Sequence, residues 1–437
     1  MSKIVMIGAG SVIFTKHLMV DILGFPELRG STISLVDIDP IRLKTAKLMV
    51  QRVAEAVGSN AAIEATMDRR EALKNADYVI NAVQVGMHEA TLTDFNIPRK
   101  YGLKQTIGDT IGVGGVFRGL RTIPVLLDIC REMEELCPDA LLLNYTNPMA
   151  ILTLAVARGS GIKAVGLCHS VQHTAARLSE YISAPLNEVS YRVAGINHMA
   201  WFLEFRHDGG DAYPRLFKAM EDPAIFGRDK VRFEMMKRLG YFVTESSEHM
   251  AEYVPYFIKR DDLIERFDVP IDEYLRRSEK NLETFEETRQ SLERGEPVEI
   301  ERSEEYAAFI IHSMETGVER SFNGNVLNTG LITNLPQDSC VEVPCLVNKA
   351  GVQPCHVGAL PPQLAAMNRT NINVQQLTVE AALTGKREYV YHAVMMDPHA
   401  SSVLSLDEIW AMVDELIEAH GELLPKFKSN LKRSWLS

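Results

Sequence analysis

A short apolar run over residues 3–7 leads straight into Gly8-Ala9-Gly10-Ser11, and no other feature constrains the fold as much. It reads as a strand, a tight glycine turn and the start of a helix, whose free N–H groups and positive dipole end can receive a dinucleotide pyrophosphate. Ile13 stands where the usual third glycine would be, so the turn alone is a weak signal. Asp37 strengthens it. This residue closes the second apolar segment where a ribose-binding carboxylate is expected, and an acid there favours NAD over NADP by repelling a 2′-phosphate. Asp39 is the neighbouring alternative, and a plain turn with Asp37 capping the next helix is the competing structural explanation. Val83, in Ala82-Val83-Gln84-Val85-Gly86, would lie along the cofactor path unless this is an ordinary strand-end loop.

The pattern continues through the first half. Segments 4–7, 33–37, 78–83, 141–145 and 164–167 are strand candidates, and residues 40–57 and 116–136 carry apolar positions at helical spacing between them. This predicts an α/β fold with a Rossmann-type doubly wound parallel sheet over residues 1–195. The alternation then weakens. Charged helix 271–294, a Pro- and Cys-bearing segment 335–362 and a last helix 406–424 predict a mixed α+β lobe over 196–437, bearing substrate, metal and oligomer contacts. A chain of 437 residues exceeds one typical core, so two closely packed lobes with a cleft are expected.

A net charge of −12 disfavours nucleic acid or an anionic membrane as partner, leaving small molecules. No signal-like leader or membrane-length apolar stretch stands out, so a cytoplasmic protein is expected. Six irregularly spaced cysteines argue against a disulfide framework. One of them, Cys168, follows a predicted buried strand in Cys168-His169-Ser170, and His198 ends another apolar segment 30 residues on. Each alone reads as an inert thiol or a satisfied polar side chain. On a nucleotide fold that delivers strand ends to one cleft, they read together as a metal pair. Thiolate and imidazole suit Zn or Fe by themselves, while substrate oxygens could adapt the site to a harder ion.

Several further motifs stand in a telling order: Asn144-Tyr145-Thr146-Asn147-Pro148-Met149, Cys168-His169-Ser170-Val171, Gly195-Ile196-Asn197-His198 and Ser246-Ser247-Glu248-His249. With Gly8-Ala9-Gly10-Ser11 before them and Asn334-Leu335-Pro336-Gln337, Thr370-Asn371-Ile372-Asn373 and Met395-Met396-Asp397-Pro398 after them, the chain resembles family 4 glycoside hydrolases over nearly its whole length. Its form of these motifs is most similar to the α-galactosidase branch. The resemblance implies a lactate/malate dehydrogenase-like fold, bound NAD and usually Mn²⁺, and a homodimer or homotetramer. It also implies hydrolysis without a carboxylate pair or net redox change. In that chemistry NAD takes the C3 hydride of the sugar, the C2 proton becomes acidic, the C1 substituent is eliminated, water adds, and the hydride returns. Cys168 and His198 would hold the metal.

The family uses a tyrosine base, and Glu252-Tyr253-Val254-Pro255-Tyr256 supplies two candidates, of which Tyr256 is preferred over Tyr253. Either ring alone could equally be a core aromatic. His169 occupies the position of the leaving-group acid, where related branches carry Asp; it could instead bind a sugar hydroxyl or orient Cys168. Asn147 is the sugar-hydroxyl partner by resemblance, with turn formation as its plainer role. Residues 87–95 contain no Lys or Arg where phosphosugar branches carry a base, which favours an unphosphorylated α-galactoside such as melibiose. Arg277 is expected in a helix ion pair rather than at the substrate. The alternatives are an α-glucosidase or α-galacturonidase of the same family, an NAD-dependent dehydrogenase of a polyol or hydroxy acid, or a non-enzymatic NAD sensor. A dehydrogenase would accumulate NADH, and a sensor would tolerate loss of Cys168.

Overall fold

The computed structural model describes residues 1–303 and 305–428. Its spine is one twelve-stranded sheet. The N-terminal strands are β1 (Lys3–Ile7), β2 (Thr32–Val36), β3 (Ala62–Thr66), β4 (Tyr78–Asn81), β5 (Leu141–Asn144) and β6 (Ala164–Gly166). They run parallel in the order β3-β2-β1-β4-β5-β6. Helices cover both faces, so the inner strands are apolar almost without interruption, and β1, β4 and β5 are buried nearly throughout. The expected doubly wound sheet is therefore present, and strand order reverses between β1 and β4, where such sheets bind ligands. Strand β3 is absent from the sequence expectation. It is a half-exposed edge strand whose alternation covers only Ala62–Thr66.

The second half extends the same sheet. Strands β7 (Val189–Ile196), β8 (Met199–His207), β9 (Gly210–Asp211), β10 (Arg320–Leu327), β11 (Cys340–Asn348) and β12 (Gly351–Pro354) are antiparallel to their neighbours. They continue it as β6-β10-β11-β7-β8-β9, with β12 on β11. The boundary drawn at residue 195 falls inside β7. Helix Pro362–Thr384 packs on the nucleotide-lobe helices Gly112–Leu136 and Met149–Gly159, so the two segments share both sheet and helical layer. The expected charged helix spans Glu273–Glu293, and the last long helix Leu406–His420 starts with a capping box between Ser405 and Glu408.

One buried ion pair fastens the loop after β4. Arg121 binds Asp94 through two nitrogens at 3.1 and 2.7 Å, its Nε donates to the Val85 carbonyl at 3.0 Å, and His420 reaches the same carboxylate at 2.8 Å. Breaking such a pair from one side leaves an uncompensated buried charge and costs about 3–5 kcal/mol. Among the described residues no helix is long and apolar enough to cross a membrane.

Candidate active site

The glycine turn forms as expected, and packing shows why glycine is needed. Gly8 has φ +85°, and a Cβ there would lie 2.6 Å from the Ala82 carbonyl oxygen; one on Gly10 would lie 2.5 Å from Asp37 Oδ2. The ends of β1, β2 and β4 thus close to backbone distance. Asp37 accepts from the Gly10 N–H at 2.7 Å and from the Asp39 N–H at 3.0 Å. Asp39, with Oδ1 2.8 Å from the Ile41 nitrogen, is the cap of helix Pro40–Ala56, so Asp37 is not the cap. Ser11 stands at the N-terminus of helix Val12–Gly24, and the Val83 carbonyl accepts from Thr146 Oγ1 at 3.1 Å. Gly8, Gly10, Ser11, Asp37 and Val83 therefore gather at the strand ends beside the N-terminus of helix Val12–Gly24; the N–H groups of Gly8, Gly10 and Ser11 are themselves bonded to Val36, Asp37 and Gly8.

Cys168 and His198 meet despite three intervening strand spacings. A flat sheet would set β6 and β7 about 14 Å apart, yet Cys168 Sγ lies 3.3 Å from His198 Nε2. The sheet curls there and the strand-end loops lean together. His198 sits at the tip of the tight β7–β8 hairpin with φ +61°, which turns its ring out of the strand plane. Cys168 lies just before helix Ser170–Tyr181, whose dipole favours a thiolate. Burial opposes that charge, but His198 outweighs it, so the thiol is held below its ordinary range. Two ligands on a tetrahedral ion of the Zn type stand roughly 3.5 Å apart. The pair is already spaced to chelate, and its soft thiolate and imidazole suit a transition-series dication.

Helix Ser247–Tyr253 brings the next groups. Ser246 caps it by accepting from the His249 N–H at 3.3 Å, which explains the Ser246-Ser247-Glu248-His249 motif locally. The helix turns His249 onto His198, ring centroids 4.5 Å apart, and Tyr253 to 6.4 Å from the same ring. Tyr253 is 1% exposed and its hydroxyl has no hydrogen-bond partner among the described residues, whereas Tyr256 lies beyond the helix, 47% exposed and edge-on to Phe257. The preferred candidate, Tyr256, thus lies away from His198, because the helix ends before it and points only Tyr253 inward. Burial, then the charges of Asp109 and Glu245, push the Tyr253 phenol well above its ordinary value.

His169 Nε2 lies 2.7 Å from Glu305, a carboxylate 2% exposed. Burial alone would lower the imidazole, but Glu305 outweighs it and raises the group, favouring the protonated form. Asn147 Nδ2 donates to Asp109 at 3.1 Å, and its carbonyl accepts from Arg118 Nε at 3.1 Å. Arg118 in turn binds the Tyr274 hydroxyl at 2.7 Å and lies 4.0 Å from Asp109, so its charge is already balanced. Arg277 pairs with Glu273 at 2.9 Å, the helix ion pair expected.

Five groups of this site escape the sequence reading: Asp109, Arg118, Glu245, His249 and Glu305. Glu245 lies 2.5 Å from His249 Nδ1, and ligand atoms of His198, Glu245 and His249 fall within 4.8 Å of one another. The motif at 246–249 was the available signal for the last two. Asp109 and Glu305 lie in segments with no spacing cue.

Comparison with known proteins places this architecture. The family 4 glycosyl hydrolase profile matches residues 3–184, and the C-terminal domain profile of the same family matches 193–400. An alpha-galactosidase of Bacillus subtilis is 51% identical over 432 residues, covering 98% of this chain and all of that protein. The 6-phospho-beta-glucosidase of Thermotoga maritima, solved with manganese, NAD⁺ and glucose-6-phosphate, superposes with a TM-score of 0.81 at 23% identity, covering 98% of this chain and 100% of that one. Lactate dehydrogenase of Eimeria maxima shares the fold at a TM-score of 0.54 and 14% identity, over 88% and 96% of the two chains. The dehydrogenase-like sheet, the Cys168–His198 edge and two profile matches spanning most of the chain lead to one assignment: the chain belongs to the family 4 glycosyl hydrolases.

Proposed function

We propose that this chain hydrolyses unphosphorylated α-galactosides with NAD and a divalent ion, Mn²⁺ by preference. The observation that carries the reading is the convergence of Cys168, His198 and the buried Tyr253 hydroxyl beside a glycine crevice. When bound, NAD would supply reversible hydride transfer at C3 of the sugar, and the ion would supply Lewis acidity toward the sugar oxygens. Cys168 and His198 hold the ion. Gly8, Gly10, Ser11 and Asp37 seat the dinucleotide, with Val83 beside its path. Tyr253 takes the C2 proton; burial, with the charges of Asp109 and Glu245, keeps its phenol protonated until positive charge enters the site. His169, held by Glu305, gives a proton to the departing oxygen. Asn147, its amide fixed by Asp109, orients a sugar hydroxyl through its remaining acceptor.

Substrate choice rests on charge. Residues 87–95 offer no Lys or Arg for a phosphate, and the buried Arg118 beside Asn147 is already neutralised by Asp109, which disfavours a uronate. The alpha-galactosidase likeness supports galactose over glucose. The enzyme works as a cytoplasmic homodimer or homotetramer. The test follows nitrophenol release and free NADH with nitrophenyl α-galactoside, α-glucoside and α-galacturonide, given NAD, Mn²⁺ and a thiol reductant. Nitrophenol from the galactoside without net NADH is expected. No nitrophenol from any sugar, with NADH accumulating on a polyol, would replace this reading by a dehydrogenase.

A further inference from the structure

Glu342 is the most anomalous side chain outside the groups already given a role. It is fully buried, and neither carboxyl oxygen has a hydrogen-bond partner among the described residues. Its place in the sheet is the centre of the curl. On β11 it faces Asn325 of β10 on one side and Gly195 of β7 on the other, and Asn325 faces Gly166 of β6. Cross-strand partners share a face, so Glu342 and Asn325 rise side by side between the strands that lead to Cys168 and His198. Flanking glycines leave that face without side chains on either edge. Asn368 reaches over Gly195, its Oδ1 3.2 Å from where a Cβ would stand. The unpartnered atoms of Glu342, Asn325 and Asn368 are all oxygens, a set that attracts positive charge.

Electrostatics connects this layer to the pair above it. Gly166 and Gly195, the outer members of that row, stand two residues before Cys168 and three before His198, so Glu342 lies between the strands that carry the pair. A dication held by one thiolate and one neutral imidazole keeps a net positive charge in a buried site. One further carboxylate would cancel it, and outer partners of this kind tune metal affinity. Glu245, the other nearby carboxylate, is already committed to His249.

The geometry points to Glu342 as a positioning residue beneath the metal site, whose carboxylate strengthens divalent-ion binding at Cys168 and His198 without touching the sugar. This rests on the metal role proposed for that pair. The test measures free Mn²⁺ by its electron paramagnetic resonance signal during titration of the full-length protein, with NAD affinity and circular dichroism as fold controls. Glu342→Gln should weaken Mn²⁺ binding by about 10–100-fold, and Glu342→Asp should recover part of the loss, while NAD affinity holds. Cys168→Ser should abolish binding. Wild-type Mn²⁺ affinity in Glu342→Gln, with Cys168→Ser still inactive in binding, overturns the role of Glu342 alone. Wild-type affinity in Cys168→Ser overturns the metal reading itself. Should Glu342→Gln not fold, Glu342→Asp and Glu342→Asn make the same comparison at equal length, and equal Mn²⁺ affinities for those two overturn the proposal.

Discussion

At the glycine crevice, side chains hold the backbone in shape: Asp37 takes two N–H groups, Thr146 takes the Val83 carbonyl, and Arg121 takes that of Val85. At the Cys168–His198 edge, by contrast, the Asn197 amide, His198 Nδ1, the Tyr253 hydroxyl and both Glu342 oxygens are buried without hydrogen-bond partners among the described residues. A dinucleotide is met by a finished surface. On the proposed reading, the sugar and ion would meet an edge that still holds unpaired polar groups, which are costly to leave so. The first region is therefore expected to govern affinity, and the second the rate.

The largest effect should come from the metal edge. Cys168→Ser or His198→Ala is expected to lower kcat by roughly 10³-fold or more, the scale of several kcal/mol of Lewis-acid stabilisation. NAD affinity, read by fluorescence titration, should stay within about twofold of wild type, as for substitutions remote from a site. A parallel loss of NAD affinity would break the separation of the two regions. Oxidants should inactivate the metal-free enzyme through the same Cys168 thiol, with the metal-loaded form protected.

The two tyrosines sharpen the comparison within the metal edge. Tyr253→Phe should lower kcat by about 10²–10⁴-fold, the range for a lost proton-transfer group. It should also stop solvent exchange at C2 of the sugar in D₂O. Its thermal stability should not fall, because the hydroxyl it removes is buried and unpaired. Tyr256→Phe, at an exposed ring, should leave kcat within about twofold. The reverse pattern would return the base to Tyr256.

These contrasts also explain what the sequence discloses. The crevice is legible because its parts are local: strand, Gly8, Gly10 and an acid at the next strand end follow a fixed spacing. Cys168, His198 and Asn147 are legible through motifs that a family resemblance could carry. Tyr253 and Tyr256 share one motif, and only the end of helix Ser247–Tyr253 separates them. Asp109, Glu305 and Glu342 reach the site from distant segments, and no spacing links them. Glu342 is actively misleading, since Val341-Glu342-Val343 reads as a strand with one wet face. Only the position of β11 between β10 and β7 puts that residue in the core.

A smaller effect is expected at the crevice. Gly10→Ala would drive a methyl group into Asp37 Oδ2, so the turn and the helix N-terminus that follows it must shift. NAD affinity should weaken by about tenfold, or about 1.4 kcal/mol, with kcat at saturating NAD nearly unchanged. A fall in kcat instead would show that the crevice also sets the position of the reacting ring.

The smallest effect concerns stability, and asks whether unpaired groups near the metal edge carry a measurable cost. Asp397 is fully buried; Oδ2 accepts from the Ala400 N–H at 2.7 Å, while Oδ1 has no partner. Burial pushes its carboxyl up to about 7 from the ordinary 3.8, with Glu252 adding to the rise. The folded state then keeps a proton that the unfolded chain releases. Stability from this group is full below pH 3.8 and is lost as pH rises toward 7. Above pH 7 the native protein must hold a buried charge. Asp397→Asn keeps the shape and removes that charge, so its melting temperature should exceed wild type by about 2 °C at pH 8 and converge with it only as pH falls to 3.8. Parallel curves across this range would show that the carboxylate is solvated after all, and that the contrast between satisfied and unsatisfied regions does not extend to Asp397.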